Sequence, residues 1–276
     1  MLQDIQLPPD DLIRRTQGDM AFVVNFSGGK DSMRMLGRVR ELYPNHPIFV
    51  VMADTGFEHV RPISAETWSR QQVARYDLPL AVVRNPNKTY LQMVERRRMF
   101  PSSTTRQCTS DLKRGPIETF IRSLSQKIIV NCTGIRSEES SRRSKQNPWK
   151  LNKALSVVGR HVWNWMPIFD ETLEEVLSWH WETETPLHPI YVPEFHRDGT
   201  TGGYLKRFSC RLCIFATGTD LVAIEQNDPE AFELVSSLER RIGFTMRHGR
   251  SLVQIVTEAK AIPVLPVIEN PQLALF

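Results

Sequence analysis

The chain has 276 residues, enough for one large or two small domains, and its 41% hydrophobic and 24% charged content excludes a disordered, collagenous or coiled-coil protein. Thirty-five Lys and Arg against 31 Asp and Glu leave a net charge of +4, a mild bias toward nucleotides or nucleic acid. No apolar run reaches the roughly 18 residues that span a bilayer, and the N-terminus lacks the basic-then-apolar order of a signal peptide, so a cytoplasmic protein with no membrane partner is expected.

Residues 20–26 (MAFVVNF) are apolar, rich in β-branched and aromatic residues, and stop at Ser27-Gly28-Gly29, which predicts a buried parallel strand entering a glycine turn. Behind the turn, Met33, Leu36, Val39 and Tyr43 share one helical face, with the helix starting near Lys30 or Asp31. The alternation continues: strand 47–53, helix 60–76, strand 79–84, an amphipathic stretch at 89–97, a helix opened by Pro116, and strand 127–133. This order predicts an α/β fold, a Rossmann-like parallel sheet with crossover helices. A polar loop, 134–147, follows the last strand at the sheet edge where such folds bind ligands. From about 165 the composition changes, with helices expected near 171–182 and 224–242 around a Pro-, Gly- and Thr-rich stretch at 186–209 and a CxxC at 210–213. The division expected is a nucleotide-binding domain over 1–165 and a smaller cysteine-containing portion over 166–276, ending in an extended tail that packs on the body or on a partner.

Ser27-Gly28-Gly29-Lys30-Asp31-Ser32, between strand and helix, carries the sharpest chemical signal. Glycines let consecutive backbone N–H groups face an anion, and the helix N-terminus adds a favourable dipole. Lys30 supplies charge, Ser27 and Ser32 hydroxyls, and Asp31 a ligand for Mg²⁺ or a brace for the loop. The spacing is not that of a Walker A loop.

SGGKDS resembles the PP-loop of the ATP pyrophosphatases, which cleave ATP between its α and β phosphates. Further blocks are similar to the phosphoadenosine phosphosulfate reductase-like branch of that superfamily. They are Asp54-Thr55-Gly56, Arg106-Gln107-Cys108-Thr109 with Lys113 and Pro116, Thr133-Gly134-Ile135-Arg136 with Glu138, Glu139 and Arg142, Trp165–Ile168, His188–Tyr191 and Cys210–Cys213. The resemblance implies an adenine nucleotide α-hydrolase-like fold over about residues 20–215. It implies ATP bound by Ser27, Gly28, Gly29, Lys30, Asp31, Ser32, Asp54, Gly134 and Arg136, with Lys30, Asp31, Asp54 and Arg136 carrying the catalysis. Asp54 is a strand-end cap or a ligand of Mg²⁺ or ribose; Arg136 suits paired bonds to phosphate oxygens. Glu138, Glu139 and Arg142 either knit their loop or touch ligand, and Arg106 and Lys113 either bind the second substrate or form a solvated face.

Four cysteines are too few for a disulfide scaffold. Cys210 and Cys213 have the spacing to grip one metal centre, and Cys108 lies in a family block at the sheet edge. The resemblance favours a [4Fe–4S] cluster over Zn²⁺ on these three, with Cys132 either a fourth ligand or a buried hydrophobe. Cluster-bearing reductases have paired cysteines where this chain has Gln107-Cys108, and a C-terminal catalytic cysteine for which no residue after Cys213 stands in.

The expected function is therefore an ATP pyrophosphatase that adenylates a substrate for sulfur incorporation, most similar in character to the enzymes of DNA phosphorothioation. Basic runs at Arg96–Arg98, Arg142-Arg143 and Arg240-Arg241 suit a DNA partner, and a cysteine desulfurase and a partner ATPase would complete the system. The alternatives are a small-subunit ATP sulfurylase or sulfonucleotide reductase of sulfate assimilation, or a non-catalytic nucleotide-sensing module.

Overall fold

The computed structural model describes residues 19–199 and 202–261. Six strands, β1 (Met20–Asn25), β2 (Ile48–Asp54), β3 (Leu80–Arg84), β4 (Ile128–Cys132), β5 (Trp149–Leu151) and β6 (His161–Trp165), form one sheet in the order β3-β2-β1-β4-β6-β5. All pairings are parallel except β5 on β6. Chain order runs outward from β1 to β3, returns, and continues from β4, so the topological switch point lies between β1 and β4. The α/β expectation is met. The two strands beyond β4 were not expected: β5 has three residues, and β6 (HVWNW) carries His and Asn among its aromatics, which hides the apolar run.

Helices α1 (Lys30–Leu42), α2 (Ala65–Ala74), α3 (Tyr90–Arg97) and α4 (Gly115–Ser123) make the crossovers. Helix α2 starts later than residue 60 because the Ser64 hydroxyl caps it, accepting the Thr67 N–H at 3.1 Å. Ahead of α4 lies a helical turn, Gln107–Thr109, and a π-turn, Ser110–Arg114. The remaining helices are α5 (Leu173–Glu182), α6 (Gly218–Asn227), α7 (Pro229–Ile242) and α8 (Leu252–Ala261). The single helix expected over 224–242 is broken at Asp228. Pro229 has no N–H to continue α6, and the Asp228 carboxylate caps α7 through the Ala231 N–H. The expected tail at 262–276 lies outside the described residues.

Phe22, Val24, Val50 and Met52 pack on Leu36 and Val39 of α1 on one sheet face, while Val23, Val51 and Ile129 meet Ile121 of α4 on the other. A third core joins α6, α7 and α8 to Tyr90 and Met93 of α3 and to Leu212 and Ile214 of the CxxC segment. Among the described residues no helix is long and apolar enough to cross a membrane.

Candidate active site

The glycine turn forms because β1 must reverse within three residues. Gly28 has φ +77°, and a Cβ there would come within 2.6 Å of Ser69 Oγ and 2.9 Å of the Trp68 ring, so only glycine fits. The Trp68 indole N–H donates to Gly28 O at 2.9 Å, Ser32 Oγ donates to Gly29 O at 2.8 Å, and Ser27 Oγ donates to Ser32 Oγ at 3.3 Å. The serine hydroxyls thus brace the turn. Gly28 and Gly29 N–H have no protein acceptor among the described residues and remain available to an anion at the start of α1.

Lys30 is buried. Its ammonium lies 3.2 Å from Asp31 Oδ2 and over the rings of Tyr191 and Phe195, at 5.3 and 5.6 Å. The Tyr191 hydroxyl accepts the Lys30 N–H at 3.0 Å, and Phe208 packs against Tyr191 and His188 behind the turn. Arg136, also buried, donates through Nε to Asp31 Oδ1 at 2.7 Å and pairs with Glu138. Burial works against the Asp31 charge, yet Lys30 and Arg136 hold its pKa below the usual carboxylate range. Arg136 therefore reaches the helix start by clamping Asp31. Glu138 also accepts the Leu173 N–H, while Glu139 takes the Arg136 N–H and pairs with Arg143, so both glutamates knit the loop. Asp54 sits at the end of β2, paired with Arg84 at 3.1 Å and accepting the Gly56 N–H at 2.7 Å. Gly134 packs against the backbone of Asp31, 3.1 Å from a Cβ placed on it, which brings the strand-end block onto the start of α1.

Beside the turn, at the carboxyl edge of β1, β2, β4 and β6, opens a cavity of about 440 Å³. Ser27 reaches it from the turn, Met52 from β2, Lys113 and Ile117 from the helical side, and Met166 from beyond β6. Its floor holds Asn25, Asn131, Asn152 and Asn164, none of which the sequence reading singled out.

A second, smaller cavity of about 30 Å³ is lined by Cys108, Cys210 and Cys213 together with Thr55, Phe57, Tyr90 and Lys113. Lys113 borders both cavities, and its ammonium lies 3.2 Å from Ser209 Oγ and 3.4 Å from Cys210 Sγ. A hydrogen bond from Cys213 and the charge of Lys113 hold the Cys210 pKa well below the usual thiol value against burial. The Cys213 pKa is raised by that same bond and by burial, and burial next to Cys210 raises the Cys108 pKa. Glu58, bridged to Cys210 across an isolated β-bridge, has its pKa pushed up to about 7 by burial and by the neighbouring thiolate. The Tyr90 hydroxyl is buried at this cavity without a partner among the described residues. No three His, Cys, Asp or Glu donors among the described residues converge as a preformed metal site. The donor set nonetheless suits a thiolate-loving centre: three thiols on one cavity wall, one of them favoured as thiolate, with apolar surroundings and an orphaned hydroxyl. Cys132 is not with them. It points from β4 into the core on the α1 side, fully buried, with its thiol 3.7 Å from Val130 O; the strand alternation that buries it removes it from the ligand set.

A family profile described as "Phosphoadenosine phosphosulfate reductase domain" matches residues 21–202, from β1 past α5. The chain belongs to that family. The reductase-domain match takes in the turn, Asp54, Cys108, Cys132 and Arg136, and stops short of the CxxC. Among solved structures the chain is similar to phosphoadenylyl-sulfate reductase from Candida auris in its phosphate complex, at 12% identity and TM-score 0.42, covering 66% of this chain and 83% of that one. It is also similar to the U34-tRNA thiolase NcsA from Methanococcus maripaludis with its [4Fe–4S] cluster, at 15% identity and TM-score 0.45, covering 84% and 77%. No curated protein matches.

Partial signals for Tyr191 and the floor asparagines lie in the sequence: Tyr191 closes the His188–Tyr191 block, and each asparagine on β1, β4 and β6 interrupts an apolar run at the carboxyl end of its strand. Glu58, two residues after Gly56, gave no signal of its own, because its role depends on Cys210 far along the chain.

Proposed function

We propose that this protein is an ATP pyrophosphatase that uses ATP to activate an acceptor oxygen for replacement by sulfur, with the DNA backbone as the acceptor. The observation that carries this reading is the shared wall: a phosphate-type turn opens onto one cavity, a three-cysteine cavity lies next to it, and Lys113 borders both. The free N–H groups of Gly28 and Gly29 and the start of α1 would hold the polyphosphate, with Lys30 and Arg136 keeping Asp31 ionised beside it. Attack of the acceptor oxygen on the α-phosphorus forms the adenylated acceptor and expels pyrophosphate; sulfide then bonds to the acceptor phosphorus and expels AMP.

Cys108, Cys210 and Cys213 would hold a [4Fe–4S] cluster, or Zn²⁺ with a further ligand. Bound there, a three-thiolate cluster supplies an iron with an open position for a sulfur ligand. Lys113 keeps Cys210 in the thiolate form such a centre requires, and the apolar lining excludes water from it. A cysteine desulfurase would supply the sulfur and a partner ATPase would deliver the strand.

The test is pyrophosphate release by anaerobically purified protein with and without DNA, joined to iron, sulfide and zinc analysis and to mass spectrometry of nuclease-digested DNA. The reading expects DNA-stimulated release, iron and sulfide in the protein, and a phosphorothioate dinucleotide only in cells that contain it. Absence of pyrophosphate release with any acceptor overturns the activity. Release without a phosphorothioate product overturns DNA as the acceptor.

A further inference from the structure

The floor of the larger cavity is a relay of four side-chain amides running across three strands and into the loop after β5. Asn25 Nδ2 donates to Asn131 Oδ1 at 2.7 Å and to the main-chain oxygen of Cys132 at 2.5 Å. Asn131 Nδ2 donates to Asn164 Oδ1 at 2.9 Å, and the same oxygen accepts Asn152 Nδ2 at 3.3 Å. Asn152 Oδ1 in turn accepts the Leu155 N–H at 3.2 Å.

The direction of this relay is fixed by the backbone at both ends. The amide orientation of an asparagine is ordinarily set by its network alone. Here Cys132 C=O can only accept, so Asn25 must turn its nitrogen to it; Leu155 N–H can only donate, so Asn152 must turn its oxygen to it. The two interior amides are then forced, because Asn131 has to accept from Asn25 and donate to Asn164. Asn25 Oδ1 is thereby turned away from the relay, has no protein donor among the described residues, and belongs to a residue lining the cavity. The site is the β1–β4 switch point, beside the phosphate turn that begins two residues later.

We infer that the relay makes the cavity select a 6-aminopurine, with Asn25 Oδ1 accepting a hydrogen of the exocyclic amine and with Asn131, beside the Cys132 carbonyl, holding Asn25 in that orientation. Apolar walls from Met52, Ile117 and Met166 suit a flat heterocycle above the amide floor. A 6-oxopurine would set its own carbonyl oxygen against Asn25 Oδ1, leaving two acceptors without a proton between them. Asn25 cannot flip to rescue it without abandoning both the Cys132 carbonyl and Asn131. This inference rests on the proposed reading that the cavity takes ATP.

The experiment is displacement of a fluorescent ribose-labelled ATP from the full chain by ATP and by ITP, with melting temperatures recorded for every variant. The wild type is expected to bind ITP at least about tenfold more weakly than ATP. Asn25→Leu removes the acceptor and should bring the two nucleotides to equal affinity. Asn131→Leu, which leaves the Cys132 carbonyl alone to hold Asn25, should narrow the preference without abolishing it, and an unchanged preference there would remove Asn131 from the orienting role. Equal affinity of the wild type for ATP and ITP overturns the relay's role and leaves nucleotide binding standing. A wild type that binds the labelled ATP not at all overturns the proposed function, and the inference with it. An unchanged preference in a folded Asn25→Leu variant also overturns the inference.

Discussion

The phosphate turn is made by six consecutive residues, Ser27 to Ser32, whereas the cysteine cavity is drawn from segments around 55–58, at 90, at 108–113 and at 209–214. The first is a backbone device: its chemistry lies in N–H groups whose direction follows from two glycines and a helix start. The second is a side-chain device whose parts meet only because the CxxC segment pairs with residue 58 and packs on α3. A local motif can therefore be read almost completely from its letters, while an assembled one yields its components without their arrangement.

Disabling each region separately tests whether the turn and the cysteine cavity act independently. Lys30→Ala should abolish pyrophosphate release, since the variant loses the only lysine of the turn together with its seat on Tyr191 and Phe195. Cys210→Ser should abolish sulfur incorporation while ATP cleavage, followed as pyrophosphate, stays close to wild type. Loss of both activities in Cys210→Ser would show that the two regions do not act as separable units.

Gly28→Ala should lower pyrophosphate release by roughly a hundredfold, because the left-handed backbone and the contacts with Ser69 and Trp68 both oppose a methyl group there. A release rate within threefold of wild type would show that the turn's geometry is not what holds the polyphosphate.

A smaller effect concerns the aromatic layer behind the turn. His188 Nδ1 accepts the Ile190 N–H at 3.0 Å and Nε2 lies 3.1 Å from Ile63 O, an arrangement that needs a neutral ring with its proton on Nε2. Burial lowers its pKa to about 4, below the value of a free imidazole. The unfolded chain therefore binds the extra proton first, and the stability His188 contributes is present above about pH 6.5 and lost as pH falls toward 4. The melting temperature should fall by at least on the order of 5 °C between pH 7 and pH 5, and His188→Gln should lessen that slope without removing it, because burial lowers the pKa of His59 and His180 as well. An identical slope in the variant would assign the acid sensitivity elsewhere. Smallest of all, Cys132→Ala should leave iron content and sulfur incorporation unchanged while lowering stability modestly; loss of iron would return Cys132 to the ligand set.

The sequence made the sheet's first four strands and the turn legible because periodicity and glycine placement are local properties. The two strands beyond β4 escaped because three residues at 149–151 carry no period and the β6 asparagine breaks its own apolar run. The helix expected from 224 overran the end of α6 because its aligned residues, Phe232, Val235, Leu238 and Ile242, all lie in α7 and only Asp228-Pro229 marks the break. Within the site, Cys108, Cys210 and Cys213, grouped from the family blocks, line one cavity, whereas Cys132 was ambiguous until strand alternation placed its side chain. Glu58 and Tyr90 owe their raised pKa values first to burial and then to thiols, Cys210 for Glu58 and Cys108, Cys210 and Cys213 for Tyr90, and composition carries no trace of either.

Arg211 stands between the two cysteines of the CxxC, and its buried guanidinium donates to both oxygens of Asp228, at 2.5 and 2.7 Å, and to Glu230. Asp228 is also the residue that starts α7. The hairpin of thiols is thus moored to the joint between two C-terminal helices by a charge pair that is costly to separate in a dry interior. A displacement of that joint would therefore reach Cys210 and Cys213 through a single guanidinium.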